Sequence, residues 1–414
     1  MTYTVEEVHW LAEHPEAVAE AEQLELSASS RLRDTAVLRE RHGEWARALS
    51  ELVTARRAAV RGGKVPDDWL VCGESAQQAT PAVVAAERAD FLSGVLGSGR
   101  NGSDGNAGQG LVAADVTCSV GTELLHLSRR FGTVLGGDLD PARLAMARYN
   151  MEVSGLSPRQ VGLLRADAVV PPFAPGSVDV VVADPARRTS RGRIRDPKDL
   201  LPPLPDLLAA HADTALAVKC APGIDYSGWA GQVDVVSVDG GVKEACLYTP
   251  DLARHDRRAV VFRGDRRYEL TSDDPESEEV AGLGRYILDP DGAVVRAGLV
   301  RQYAAAMGWW RIDPHIAYLS GDSLDAVGTD RAAPGQRIFE VLDQVPVKRL
   351  KAALAALCCG RLEILVRGVD VDPDALRRKM KLAKGSDTRE LTVIVTRTGD
   401  TAVAVITEEL HLRG

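Results

Sequence analysis

The stretch LVAADVTCSVGTELLHLSRR, residues 111–130, decides the fold of this chain. It is typical of an apolar strand that ends at Asp115, a loop of small residues, and a helix that begins near Thr122. Further short apolar runs follow at 133–138, 161–166, 177–184 and 214–220, most of them separated by helical patterns at 122–131, 141–154 and 199–211. This alternation predicts an α/β fold with a parallel sheet buried on both faces and ligands at the carboxyl ends of its strands. Three later runs, 233–239, 243–249 and 258–263, lie too close together for helical crossovers and predict an antiparallel edge.

Composition bounds the class of protein. The 414 residues carry a net charge of −9, and 45% of them are apolar but only 5% aromatic. This acidic balance argues against a chain that coats nucleic acid everywhere, but it allows a local basic surface. The six cysteines form no CxxC pair and no zinc-site spacing, so we expect reduced thiols and no bound metal. An acidic N-terminus without a long apolar run predicts a cytoplasmic protein with no membrane contact.

Acidic residues follow four of the predicted strands: Asp115, Asp138, Asp167 and Asp184. Each one alone is typical of a turn or a helix cap. Four at the same edge of one parallel sheet instead predict a ligand site. Asp138 is placed to accept both hydroxyls of a ribose, and Asp167 could accept a hydrogen bond from an adenine amino group.

The loop Thr117–Gly121 indicates what else such a ligand carries. It lacks both the G-x-G-x-x-G spacing for a dinucleotide and the Gly-Lys-Ser/Thr of a P-loop. A single amino-acid moiety with its carboxyl group therefore fits this loop more easily than a diphosphate.

Four stretches resemble the first four motifs of class I S-adenosylmethionine-dependent methyltransferases: DVTCSVGTELLHLSRR, GGDLDPARLAMARYN, LLRADA and VVADPARR. The whole chain resembles a bacterial group with an N-terminal helical region, this Rossmann-like domain and a C-terminal THUMP-like domain. SAQQATPAVVAAERADF, KCAPGID, VKEACLY and GRLEILVRGVDVDPDALRRKM add to that resemblance. The first loop departs from the pattern, because it keeps only Gly121 where many relatives have two or three glycines.

The resemblance implies a domain order for the chain. We expect an N-terminal helical domain (1–96), a Gly-rich linker (97–110) and the methyltransferase domain (111–265). A mixed connecting region (266–346), for which a ferredoxin-like arrangement is one option, and a THUMP-like α+β domain (347–414) follow.

The same resemblance implies the cofactor and the site residues. S-adenosyl-L-methionine is the expected cofactor, and its expected binding residues are Asp115, Thr117, Cys118, Gly121, Thr122, Asp138, Asp167 and Thr80. The expected catalytic residues are Asp184, Pro185 and Arg187. Gln78, Thr80 and Arg88 match the QAT…R stretch of the group, although Thr80 also suits a helix cap and Arg88 a surface charge.

Asp184-Pro185-Ala186-Arg187 leaves two chemistries open. Methyltransferases of exocyclic amines in bases follow Asp or Asn with Pro-Pro and an aromatic ring; this chain keeps Asp-Pro but lacks the ring. Arg187 could replace the ring by stacking its guanidinium group, or it could contact a phosphate.

The stretch Asp184-Pro185-Ala186-Arg187 also resembles the DPPR of RNA uracil-C5 methyltransferases, which require a cysteine nucleophile. Cys220 is the candidate for that role, although buried strand cysteines are usually inert. Lys219, beside it, is expected to be a polar strand-end residue.

Two basic segments suggest RNA as the partner. Residues 186–198 hold six Lys or Arg and one acid, and 347–384 hold ten Lys or Arg and four acids, a balance of 10 − 4 = +6. Each segment is suited to phosphate contacts, and each is also typical of a charged surface that contacts only water.

The leading hypothesis is an RNA methyltransferase acting on tRNA or rRNA. The alternatives are a nucleic-acid-binding protein with a catalytically weak cofactor fold, and a small-molecule methyltransferase. The sequence leaves the oligomeric state open.

Overall fold

The structure, a computed structural model, describes residues 3–98, 110–186, 188–189, 192–193, 196–385, 388–398 and 401–411. It divides into two compact units. The first unit comprises Met1–Val233 and Lys243–Arg254, and the second comprises Asp234–Val242 and His255–Gly414.

Helices form the N-terminal part of the first unit: α1 (Val5–Glu13), α2 (Pro15–Glu22), α3 (Arg31–His42), α4 (Ala46–Arg61), α5 (Gly73–Gln78) and α6 (Ala82–Gly97). A capping box between Thr4 and Glu7 starts α1 by satisfying backbone N–H groups that have no partner within the helix. These helices share one apolar core with the strands and helices that follow. Asn150 strengthens this junction, since its side-chain oxygen accepts the backbone N–H of Leu70 at 2.7 Å.

The strands of the next part alternate with helices as predicted. They are β1 (Val112–Asp115), β2 (Thr133–Asp138), β3 (Val161–Arg165), β4 (Val180–Ala183), the two-residue pair β5 (Arg188–Thr189) and β6 (Gly192–Arg193), β7 (Ala215–Cys220), β8 (Gln232–Val238) and β9 (Gly241–Tyr248). The helices between them are α7 (Thr122–Leu127), α8 (Pro141–Val153) and α9 (Leu204–Ala210).

Strands β7, β4, β1, β2 and β3 lie side by side in that order and run parallel. All four residues of β4 are buried, as expected for a strand covered on both faces. The antiparallel edge is also confirmed, because β9 pairs antiparallel with β7. The chain runs from β1 outward to β3 and then returns to β4 on the other side of β1. The crevice between β1 and β4 is therefore the expected ligand position.

The second unit holds β10 (Arg257–Arg263), β11 (Arg266–Thr271), β12 (Tyr286–Asp289), α10 (Gly292–Ala297), α11 (Val300–Met307), β13 (Trp310–Asp313), β14 (Ile316–Gly321), β15 (Arg337–Pro346), α12 (Leu350–Ala356), β16 (Cys359–Val366), α13 (Pro373–Lys379), β17 (Arg389–Thr398) and β18 (Thr401–Glu409). Strands β10 and β11 form an antiparallel pair. Seven strands form a separate sheet in the order β13-β14-β12-β15-β18-β17-β16.

Helices α12 and α13 cover one face of this seven-stranded sheet. Leu350 and Leu354 of α12 and Leu376 of α13 belong to one buried cluster with Leu362 and Leu391 of the sheet. Removing the side chain of a fully buried leucine costs about 2–5 kcal/mol, so this contact holds both helices to the same face. Their outward side chains therefore share one surface of the second unit.

The domain boundaries expected from the sequence stay predictions. Strands from residues 266–346 and from residues 347–414 pair within the seven-stranded sheet, because β15 pairs antiparallel with β18. Likewise, helices from residues 1–96 share a core with the parallel strands. Independent folding of these segments has to be measured with separately expressed pieces.

Candidate active site

The carboxyl ends of four parallel strands carry the acidic residues singled out in the sequence. Asp115 ends β1, Asp138 ends β2, and Asp184 directly follows β4. Asp167 lies two residues beyond β3. The fold therefore brings all four to one edge of the sheet, with Asp115 buried, Asp138 and Asp184 half-buried and Asp167 exposed.

Thr117, in the loop after β1, links the end of β1 to the end of β4. The Thr117 backbone N–H and Oγ1 lie 3.0 and 3.3 Å from Asp115 Oδ1, and both donate to it. Its Oγ1 accepts the backbone N–H of Asp184 at 2.6 Å. Gly121 then turns the chain into α7 with a φ of 92°, in the left-handed region that favours glycine. A Cβ there would lie 2.8 Å from the terminal Cε of the flexible Met151 side chain, so the backbone conformation is the main reason for glycine at this position.

Asp138 is oriented by backbone donors on both of its oxygens. Ser119 N–H donates to Oδ2 at 3.1 Å, and Asp140 N–H donates to Oδ1 at 2.9 Å. A carboxylate oxygen accepts more than one hydrogen bond, so the fixed carboxylate can still accept a pair of ligand hydroxyls. Asp140, which the sequence analysis did not single out, accepts the Ala142 N–H at 2.8 Å and caps α8.

A small pocket that opens to solvent lies beside these carboxylates. Its wall includes Asp115, Gly137, Asp167 and Phe173. The sequence analysis missed Phe173, which stacks on His211 with ring centroids 6.0 Å apart. An aromatic residue soon after the Asp167 loop was the signal that could have indicated it. The pocket thus combines an aromatic wall with carboxylate acceptors.

Asp115 occupies an unusual electrostatic position. Burial, and after it the nearby Glu123 carboxylate, raises its pKa from 3.8 to about 7. The opposing effects of Lys219 and of the Thr117 N–H are smaller. Asp115 therefore changes its charge near neutral pH.

A chain of alternating charges runs from the buried part of the first unit to Asp184. Lys219 Nζ lies 2.8 Å from Asp184 Oδ2 and 3.0 Å from Glu123 Oε1. Arg88 Nη1 lies 3.1 Å from the same Glu123 oxygen, and Arg88 Nη2 pairs with Glu244. Arg88, Glu123, Lys219 and Glu244 are all buried.

This chain of charges changes three interpretations made from the sequence. Arg88 is not a surface charge, because only 2% of it is exposed. Lys219 is more than a polar strand end, because it pairs with two carboxylates. Glu123 and Glu244 were missed, because a glutamate in a helical or strand pattern gives no sign of burial until its cationic partners are located.

The remaining predicted residues are placed as follows. Pro185, Cys118 and Cys220 are buried. Thr122 begins α7. Thr80 is 3% exposed and does not cap α6; among the described residues its Oγ1 has no hydrogen-bond partner. Arg187 lies outside the described residues, as do the side chains of residues 188–195.

Comparisons with known proteins identify the family of this chain. Residues 113–190 match the family model of a methyltransferase domain, and residues 336–409 match that of a THUMP domain-like family. An uncharacterized S-adenosylmethionine-dependent methyltransferase of Mycobacterium tuberculosis, found in two strains, is 42% identical over 387 residues. That alignment covers 89% of this chain and 98% of the relative. The chain belongs to the S-adenosylmethionine-dependent methyltransferase family.

A crystal structure of a proposed methyltransferase from Porphyromonas gingivalis shares the fold, with a TM-score of 0.65 and 18% identity. The alignment covers 89% of this chain and 92% of that one.

S-adenosylmethionine is the cofactor of this methyltransferase, and the residues at the sheet edge fit it. The pocket beside Asp167 and Phe173 offers an aromatic wall and an acceptor for an adenine. The doubly held Asp138 carboxylate suits the two ribose hydroxyls.

The described part of this methyltransferase contains no helix long and apolar enough to cross a membrane. Within the same ranges, no group of three or more His, Cys, Asp or Glu side chains is arranged to hold a metal ion.

Proposed function

We propose that this methyltransferase acts in the cytoplasm on RNA, transferring the methyl group to an amine nitrogen of a base in tRNA or rRNA. The observation that carries the proposal is the match of residues 336–409 to the THUMP-like family, on a unit that also bears a concentrated basic surface.

The basic surface consists of exposed cations in and around α12 and α13: Lys348, Arg349, Lys351, Arg377, Arg378, Lys379, Lys381 and Lys384. Both helices cover the same face of the seven-stranded sheet, so these charges lie on one side of the second unit. Of the other two cations in this segment, Arg361 pairs with Glu390 and Arg367 with Asp289. A small molecule would contact only a few of these cations. An RNA backbone presents a phosphate charge at every nucleotide and can contact many of them.

The cofactor side of the proposal uses the edge residues. We assign Asp138 and Asp167 to the adenosine moiety, and the loop from Asp115 to Thr122 to the amino-acid moiety. Within that loop Cys118 and Gly121 act mainly through backbone position, since the Cys118 thiol is buried, whereas the Thr117 hydroxyl holds Asp115 and the Asp184 N–H in place. Thr80 is assigned to the cofactor as well, on the strength of its buried hydroxyl.

The substrate side centres on Asp184. When bound, the cofactor supplies an electrophilic methyl carbon and a neutral sulfur leaving group. Asp184 accepts a hydrogen bond from the N–H of the attacking amine and so directs its lone pair. It also stabilises the positive charge that develops on nitrogen as the new N–C bond forms, and it accepts the proton that the nitrogen then loses. Pro185 stiffens the turn that delivers the carboxylate, and Arg187 is assigned to base stacking or a phosphate.

The test is a comparison of RNA from a wild-type strain and a deletion strain. The purified protein, given cofactor with an isotopically labelled methyl group, should label RNA from the deletion strain and leave wild-type RNA nearly unlabelled. Digestion to nucleosides and mass spectrometry then identify the modified base. Asp184→Asn is the matched inactive control. Label in a small-molecule fraction with none in RNA would favour the small-molecule alternative.

Two observations favour a second candidate function. The loop after β1 keeps a single glycine, Gly121, and it follows Asp115, whose pKa of about 7 leaves its carboxyl group mostly neutral below that pH. Both features suit a protein that binds RNA and cofactor but transfers methyl groups weakly. Tight binding of both ligands with no transfer to either RNA sample would support that function.

A further inference from the structure

A buried lysine beside the proposed catalytic carboxylate requires an explanation. Lys219 ends β7 next to Cys220, and only 3% of its side chain is exposed. Removing an ammonium ion from water costs several kcal/mol, so lysine is almost never buried without partners. Its partners are Asp184 Oδ2 at 2.8 Å and Glu123 Oε1 at 3.0 Å.

Stability alone does not account for this arrangement. Apolar residues of similar volume usually replace a buried ion pair with no loss of stability. Here the charges form a continuous series in which Arg88 pairs with Glu123, Glu123 with Lys219, and Lys219 with Asp184. Asp184 is the most exposed of these four side chains, at 23%. The series therefore ends at the group that faces the crevice.

We infer that Lys219 is a positioning residue that orients the Asp184 carboxylate and favours its ionised form, and that Glu123 and Arg88 hold Lys219 in place for this purpose. The inference rests on the proposed role of Asp184 in methyl transfer. Its consequence concerns the substrate: a carboxylate paired with a cation is a weak base, which suits an amine that already carries a lone pair. It does not suit a hydroxyl or a carbon that must first lose a proton.

Among the described residues, three charged groups near Asp184 give the direction of the expected pH effect. Lys219 approaches from β7, Glu123 from α7 and Asp115 from β1. Without the Lys219 cation, the ionised Glu123 carboxylate would favour protonation of Asp184, and Asp115 would add to this effect only above about pH 7, where it is ionised. The acid limb of the pH–rate profile should then move to higher pH.

The first experiment needs no substrate. The melting temperature is measured at pH 7.5 for wild type, Asp184→Asn, Lys219→Met and the double variant. Asp184→Asn should lower the melting temperature in the wild-type background, because it leaves Lys219 with one partner fewer. In the Lys219→Met background the same change should lower the melting temperature by less, because Asp184 has already lost Lys219 as a partner there and its carboxylate repels Glu123. Equal effects in both backgrounds would overturn the pairing. If Lys219→Met does not fold, Lys219→Gln replaces it, since it keeps a donor without the charge.

The second experiment measures methyl transfer to RNA from the deletion strain between pH 5.5 and 9. Lys219→Met or Lys219→Gln should lower kcat about 100-fold and move the acid limb upward by about one pH unit, and Lys219→Arg should restore the wild-type limb. The matched control is Arg258→Met, which breaks the buried Arg258–Asp234 pair (3.0 Å) of the second unit. It should lower the melting temperature without moving the limb.

The two experiments distinguish a failure of the inference about Lys219 from a failure of the proposed RNA substrate. A lower kcat with an unmoved acid limb in the Lys219 variants would reduce Lys219 to a structural ion pair and overturn the inference. A wild type that labels no RNA would instead refute the proposed substrate. The difference between the two backgrounds in the melting-temperature effect of Asp184→Asn would still decide whether Lys219 and Asp184 are energetically coupled.

Discussion

Thr117 Oγ1 accepts the backbone N–H of Asp184 at 2.6 Å, although 67 positions separate the two residues. The same hydroxyl donates to Asp115 Oδ1. One side chain thus joins the loop after β1, where the cofactor is proposed to bind, to the turn that carries the proposed catalytic carboxylate.

The first prediction concerns this link. Thr117→Val should lower the free energy of unfolding by about 1–3 kcal/mol, because it leaves a half-buried N–H and a buried carboxylate short of a partner. Urea unfolding followed by circular dichroism measures the change. Thr117→Ser is the matched control and should retain most of the stability. Equal stability of the valine and serine variants would show that the hydroxyl bonds contribute nothing.

The second prediction concerns Asp138. Asp138→Asn turns an NH₂ group toward one of the two backbone donors, Ser119 N–H or Asp140 N–H, and so disturbs the carboxylate geometry. Cofactor affinity should fall by about 1–3 kcal/mol, or roughly 5- to 150-fold. Titration calorimetry with S-adenosylhomocysteine measures this directly. Asp67→Asn, at an exposed position of the same unit, should bind like wild type. Unchanged affinity in the Asp138 variant would remove this residue from the site.

The third prediction is a pH dependence that comes from Asp115. Its pKa is raised from 3.8 to about 7, so between these values the folded protein holds a proton that the unfolded chain releases. Its contribution to stability is therefore fully present below about pH 4 and is lost as pH rises through about 7. Asp115→Asn cannot lose this proton. The melting temperature of the variant relative to wild type should rise between pH 5 and pH 8, and a constant difference would contradict the raised pKa.

The fourth prediction tests the basic surface. Replacing Arg377, Arg378 and Lys379 of α13 with Gln should lower RNA affinity and flatten its salt dependence. Each lost phosphate contact removes roughly 0.9 from the slope on duplex RNA, or roughly 0.7 on single strands, by analogy with DNA. Filter binding at several salt concentrations gives the slope. The matched control neutralises Arg31, Arg33 and Arg39, which are exposed on α3. If both triple variants lose affinity equally, the effect is one of net charge and not of this surface.

The fifth prediction separates the two chemistries left open by Asp184-Pro185-Ala186-Arg187. Cys220 is fully buried, which disfavours a thiolate nucleophile. Cys220→Ser should therefore retain methyl transfer within about threefold in the RNA labelling assay. Loss of turnover with cofactor and RNA still bound would replace the amine mechanism by covalent attack on a pyrimidine. Cys246→Ser, a buried cysteine on β9, is the control for packing effects alone.

Much of the fold could be predicted because it depends on local patterns. The apolar runs ending at Asp115, Asp138 and Asp184 have the length of buried strands, and the helical patterns between them impose crossover connections. Parallel strands with right-handed crossovers bring their carboxyl ends to one edge, so the position of the carboxylates followed from spacing alone. The antiparallel pairing of β9 with β7 followed from the short connections between the later runs.

Other features depend on contacts between residues that are distant along the chain. Arg88 and Glu244 are 156 positions apart, and Lys219 reaches back 96 positions to Glu123, since 219 − 123 = 96. No periodicity in the sequence marks such partners, because an ionic pair needs only proximity. For the same reason the pairing of β15 with β18 in one seven-stranded sheet was not evident from residues 266–346 alone.

The sequence by itself determined the α/β class, the edge of the sheet where the four acidic residues meet and the chemical type of the groups there. These follow from hydrophobic periodicity and chain connectivity, which act over a few residues. Only the tertiary structure decided that Asp184 is paired with Lys219, that the pKa of Asp115 is raised to about 7 and that Arg88 is buried. The charge state and burial of an ionisable group depend on the dielectric environment and on neighbouring charges. Both arise only when residues distant along the chain pack together.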